Sequence, residues 1–191
     1  MVLSKTSQKF LGLDEFASNQ EIIKSVISKY PGLRFHEIKK EINLANGTLQ
    51  HHLAQLIKSE LVNVQYDRTI PRYFLSEINA EDKIIINRLS QNTTSKIVKV
   101  LLKKECQTFG QLVKFTKKSP GTVSVYKDML LKDKIIVGDT NGCKYAKNTS
   151  SNKLKYRLVD PQKIRMLVEE YGKTSLKQSA DNFADIFLSI K

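Results

Sequence analysis

No stretch of this 191-residue chain approaches the roughly 20 consecutive apolar residues that a membrane-spanning helix requires. Ile84-Ile85-Ile86 and Val100-Leu101-Leu102 are among its longest apolar runs. The opening residues, MVLSKTSQKFLGLDEF, lack the continuous apolar segment of a secretory leader and carry acids too early, so none is expected. Cysteine is scarce. Cys106 and Cys143 form no CxxC or CxC pair, and the expectation is two reduced thiols in a cytoplasmic protein. Catalytic signatures are missing as well: there is no glycine-rich phosphate loop, nucleophile elbow or HExxH motif. Of the three histidines, His36, His51 and His52, the last two are neighbours. On a helix they point about 100° apart and cannot chelate one ion as an i, i+4 pair could. Asp181 and Asp185, on a terminal helix without a ligand set, read as its solvated face. The sequence therefore predicts no enzyme and no catalytic, cofactor or metal site.

Acidic residues are the other shortage. Against 32 Lys and Arg stand 19 Asp and Glu, for a net charge of +13. Such an excess speaks to partners rather than to fold, with nucleic acid the first candidate and an anionic membrane surface the second. The charge is also unevenly placed. Residues 22–75 hold eight basic and four acidic residues, residues 96–158 hold fifteen and four, and the remainder is slightly acidic. A general solubility charge would be spread more evenly.

What the chain does contain is an internal repeat. Shifted by 74 residues, segment 22–62 lies on 96–136 without a gap. Ile23 meets Ile97, Val26 meets Val100, Phe35 meets Phe109, Gly47-Thr48-Leu49 meets Gly121-Thr122-Val123, and Leu61-Val62 meets Ile135-Ile136. Apolar positions coincide where a core would need them, which argues for two copies of one fold.

Each copy reads as three helices and a hairpin. Ser18-x-x-Glu21 is a capping box opening a helix to about Lys29, ended by Pro31-Gly32. Leu33 to Phe35 reads as extended and His36 to Ile42 as a short helix. Asn46 is the expected N-cap of a third, with Leu49, Leu53, Leu56 and Ile57 on one face. Val62–Tyr66 alternates as a strand, Asp67–Pro71 turns, and Arg72–Leu75 returns. In the second copy Thr94 is the expected cap of a helix to Lys104, Phe109–Thr116 is the short helix, and Ser119-Pro120 starts the third. Residues 135–137 and 155–158 are its strands, joined by a tip nine residues longer. Asn79-Ala-Glu-Asp starts a connecting helix. Asp160-Pro161 starts another that Gly172 should end, and Leu176, Ala180, Phe183, Phe187 and Ile190 then make a seam suited to a partner helix.

Segment 33–75 resembles winged helix-turn-helix regulators of the ArsR/MarR-like class. The specific part is Leu44-Ala-Asn-Gly-Thr-Leu-Gln-His-His-Leu, which is similar to that family's recognition helix. Lys118-Ser-Pro-Gly-Thr-Val-Ser-Val-Tyr-Lys is a weaker match, and the whole resembles archaeal regulators with two modules. The resemblance implies a mainly α fold with small β-hairpin wings (α+β), made of two tandem winged helix-turn-helix modules plus C-terminal helices. The expected divisions are 1–20 an N-terminal segment, 21–77 module 1, 78–92 a linker, 93–159 module 2 and 160–191 C-terminal helices for dimerisation.

A helix in the major groove buries one face and offers polar side chains on the other, mostly near its N-terminus. That picks out Asn46, Thr48, Gln50 and His51, since Asn and Gln can pair with adenine and Thr can meet a phosphate or a thymine methyl. The second helix offers Thr122, Ser124, Val125 and Lys127 beside Lys118. Lys127 departs from the pattern, because its repeat partner is the core residue Leu53. Arg68 and Arg72 would form a short first wing, and Lys144, Lys147 and Lys153 a longer basic one able to follow phosphates. The expected partners are double-stranded DNA and a second copy of the chain, with no membrane, no identified effector, and a cytoplasmic, nucleoid-associated location.

Overall fold

Ser18 opens the first helix, α1 (Asn19–Lys29), through a reciprocal pair of bonds. Its hydroxyl accepts from the Glu21 N–H at 3.3 Å, and the Glu21 carboxylate accepts from the Ser18 N–H at 2.6 Å. The backbone bond, more than any other influence, holds the Glu21 carboxyl below the usual carboxylate range. Ile22, Ile23, Val26 and Ile27 fall on the face that α1 buries. The computed structural model describes residues 18–140 and 154–175, in which eight helices and five short strands fall into two units, Met1–Lys83 and Ile84–Lys191.

In the first unit α1 is followed by α2 (Phe35–Glu41), α3 (Asn46–Lys58), β1 (Val62–Asp67) and β2 (Ile70–Leu75). Leu49, Leu53 and Leu56 point α3 into a core shared with the apolar face of α1, Ile38 and Ile42, and Val62 and Leu75. The strands pair antiparallel from Val62↔Leu75 to Asp67↔Ile70, leaving Arg68-Thr69 as a two-residue turn. Arg68 takes the left-handed conformation there, φ 58°. A bridge from Leu33 to Tyr73 lays the approach to α2 against β2.

The second unit takes in most of α4 (Ala80–Leu89), then α5 (Asn92–Lys104), β3 (Gln107–Thr108), α6 (Phe109–Thr116), α7 (Pro120–Lys132), β4 (Ile136–Asp139), β5 (Lys155–Leu158) and α8 (Pro161–Ser175). Three helices followed by a hairpin, the order of the first unit, thus recur. The strand order is β3-β5-β4, all antiparallel. Thr108 caps α6 with Gln111, and the Ser119 hydroxyl accepts from the Thr122 N–H at 3.2 Å to cap α7, with Pro120 at its first turn. Ile97, Val98, Leu101 and Leu102 bury one face of α5, and Ile164, Leu167 and Val168 bury one face of α8. The Arg88 guanidinium pairs with Asp133 at the end of α7, and Arg165 donates to the Leu102 carbonyl at 3.0 Å. These bonds fasten α4 and α8 to the unit.

Several expectations need correction. Asn46 is the first residue of α3 rather than its N-cap; Ala45 holds that place, and its carbonyl accepts from Leu49 N–H at 3.0 Å. Helix α5 begins at Asn92, two residues ahead of Thr94, whose hydroxyl instead donates to the Arg88 and Gln91 carbonyls from inside the helix. Strand β2 starts at Ile70, because Pro71 faces Tyr66 in a two-stranded sheet where its missing N–H costs no ladder bond. Gly172 does not end α8, which continues to Ser175. Cys106, expected as a free thiol, is disulfide-bonded. Cys143, the seam from Leu176 to Ile190, and residues 1–17 lie outside the described residues.

Candidate nucleic-acid interface

Burying Leu49, Leu53 and Leu56 turns the opposite face of α3 to solvent. Asn46, Gly47, Gln50 and His51 are exposed, and Thr48 is half-buried. Asn46 and Gln50 are four residues apart and so lie one above the other, with His51 beside them. No acid occurs anywhere in α3. Ala45 supplies no side-chain cap, so the first-turn amides of α3 meet no capping side chain at that position. Open space surrounds Gly47 on the side where a Cβ would stand. An uncapped helix start flanked by open space is suited to a phosphate oxygen. His52, by contrast, is held inward: its ring meets the Asn19 amide at 3.2 Å and Gln55 at 3.3 Å.

Lys39 and Lys40 stand exposed in the last turn of α2 just ahead of α3, and nothing in their spacing along the chain singles them out. Helix α2 is short, and two lysines at its end fit the ordinary preference for cations at a helix C-terminus, which hides any second use.

The first hairpin divides the two arginines assigned to it. Arg68 stands exposed at the turn. Arg72 is 3% exposed; it donates to the Gly32 carbonyl at 2.8 Å and lies 3.9 Å from the Asp67 carboxylate. Arg72 is therefore placed as a strut between the hairpin and the turn after α1. Alternation accounts for its burial: in strand β2 the positions of Arg72 and Phe74 share the inward face.

The second unit departs further from expectation. Lys127 is 14% exposed, and its ammonium lies 2.8 Å from Asp128 and between the rings of Phe109 and Tyr156 at 5.7 and 5.4 Å. Its bond to Asp128, ahead of smaller effects, raises its pKa. It fills the place that Leu53 holds in α3, with its stem buried and its charge satisfied by a carboxylate and two ring faces. We expect Lys127→Leu to leave both the thermal midpoint and the salt dependence of DNA binding close to the parent. A salt slope shallower by about one unit would return Lys127 to the DNA surface.

Thr122 is half-buried, with its hydroxyl 2.8 Å from that of Ser119, and the Ser124 hydroxyl is 3.4 Å from Asp128. Lys118 is half-buried. What α7 displays instead is Val125, 54% exposed, and the Asp128 carboxylate. Lys144, Lys147 and Lys153 lie outside the described residues.

Among the described residues no cluster of three or more histidine, cysteine or acidic side chains could hold a metal ion. No helix among them is long and apolar enough to cross a membrane.

Residues 17–86 match a family model described as an N-terminal HTH domain (HTH_HVO_0163_N). A comparison with curated proteins found no match. The matched stretch contains α1 to β2, three helices followed by a hairpin.

Proposed function

We propose that this protein is a sequence-specific double-stranded DNA-binding transcription regulator, not an enzyme, built as two tandem winged helix-turn-helix modules of the ArsR/MarR-like kind. The observation that carries the reading is the outer face of α3: acid-free, uncapped at its start, and bearing exposed Asn46, Gln50 and His51. Gln50 is the strongest candidate for base readout, since its amide can pair with adenine on two atoms. In this reading exposed Arg68 at the hairpin turn serves as a wing contact, and exposed Lys39 and Lys40 serve as phosphate contacts. A homodimer acting at the nucleoid in the cytoplasm would match the two-fold symmetry of a palindromic operator.

Selection of bound sequences from a random duplex pool at near-physiological salt tests this. A motif should emerge, and Gln50→Ala should flatten discrimination at one position by about 1–3 kcal/mol. Equal weakening on every duplex would remove Gln50 from base readout, and failure to recover any motif would favour an architectural or replication-initiation role.

The outward Val125 and Asp128 of α7 support a second reading for that helix alone, as a protein contact. An apolar residue beside a carboxylate suits a protein surface better than a phosphate-lined groove. Persistence of a partner complex in the presence of saturating operator DNA would favour it.

A further inference from the structure

Lys96, Lys99 and Lys103 recur along one face of α5, where they line a cleft of about 340 Å³ closed on its other side by the end of α6. Lys104 and Lys117 add to its cationic rim, and Phe115 gives it an apolar wall. Five ammonium groups thus surround one concavity. None of them forms an ion pair among the described residues. Like charges three and four residues apart on a helix repel, so this arrangement disfavours the free protein. Such a cluster is relieved by an anion carrying several charges.

The cleft also has a second chemistry. Phe115 is 37% exposed, and the Lys104 ammonium lies 3.9 Å from the centre of its ring. A planar group entering the cleft would find an aromatic wall already beside a cation. The volume lies at the small end of the range for sites that take small molecules. A duplex presents a convex, polar backbone to a protein, to which an aromatic wall offers little. We propose that this cleft in the second unit binds a small organic polyphosphate bearing a planar apolar group, the chemistry of a nucleoside triphosphate. The lysines hold the phosphates and Phe115 packs against the planar group. The proposal does not depend on α3 reading DNA.

Titration calorimetry on the full-length chain at near-physiological salt tests it, with ATP, inorganic tripolyphosphate and adenosine as separate probes. ATP should bind at one site per chain, more tightly than tripolyphosphate, with adenosine alone giving no measurable heat. Lys99→Gln/Lys103→Gln should weaken ATP at least 10-fold while leaving the unfolding midpoint equal to the parent's or higher. Phe115→Ala should weaken ATP and leave tripolyphosphate unchanged. Absence of ATP binding to the parent chain overturns the proposal, as does equal affinity for ATP and tripolyphosphate. It is also overturned if non-operator duplex displaces ATP and the double substitution weakens that duplex by the same factor. The cleft would then belong to the DNA backbone.

Discussion

Arg72→Ala is expected to destabilise the first unit by about 2–4 kcal/mol, read as a fall in the urea midpoint at unchanged slope. The substitution removes the donor to the Gly32 carbonyl, which is buried in the turn after α1. It also leaves Asp67, 11% exposed, without the guanidinium 3.9 Å away. Losing the donor to a buried acceptor costs more than the bond contributes, because the carbonyl has given up water for it. The upper end of the range for a broken buried pair is not reached, since the contact to Asp67 is long and its carboxylate keeps some solvent.

Arg68→Gly should act with the opposite sign on stability. Arg68 has no buried partner and occupies φ 58°, a conformation that glycine adopts without the Cβ penalty. A gain of up to about 1 kcal/mol is expected, together with weaker DNA binding and a shallower salt slope. The pair therefore separates a strut from a contact. If Arg72→Ala kept the parent midpoint and lost DNA affinity, Arg72 would be the wing reader and the geometry described for it would be irrelevant to function.

The two arginines also illustrate what a sequence of this kind can convey. The Ser18-x-x-Glu21 capping box and the 3.6-residue spacing of Leu49, Leu53 and Leu56 state two helices of the first unit, because each is a local consequence of where the core must be. Helix α6, Phe109–Thr116, falls where the pattern placed it. The site was less legible. Whether a strand arginine faces in or out depends on one residue of register, and the sequence gives no reason to expect a buried guanidinium bonded to a carbonyl 40 positions away. Lys127 is similar: its type says surface, its register says core, and register won because Phe109, Tyr156 and Asp128 together make the buried stem tolerable. The lysines of α5 were counted in the charge of their segment but not seen as a group. Their meeting with Phe115 and Lys117 is a tertiary fact.

A carboxylate introduced at the start of α3 or of α7 tells which helix enters a groove. Gly47 and Gly121 occupy matching second positions of α3 and α7, and each has open space where a Cβ would stand. Glutamate at either site should fit the free protein and interact favourably with the positive end of its helix, so stability should hold or rise by a few tenths of a kcal/mol. DNA binding should separate them. If α3 docks by its uncapped start, a carboxylate at Gly47 stands about 6 Å from a phosphate, and at an effective dielectric constant near 20 the repulsion is about 3 kcal/mol. Gly47→Glu should then weaken operator binding by more than about 100-fold. Helix α7 has its first turn capped by Ser119 and already displays Asp128, so Gly121→Glu should cost less than about 3-fold. Measured by fluorescence anisotropy at fixed salt, equal large losses would mean that both helices dock alike. Losses confined to Gly121→Glu would move the reading head to the second unit, and α3 would lose its claim.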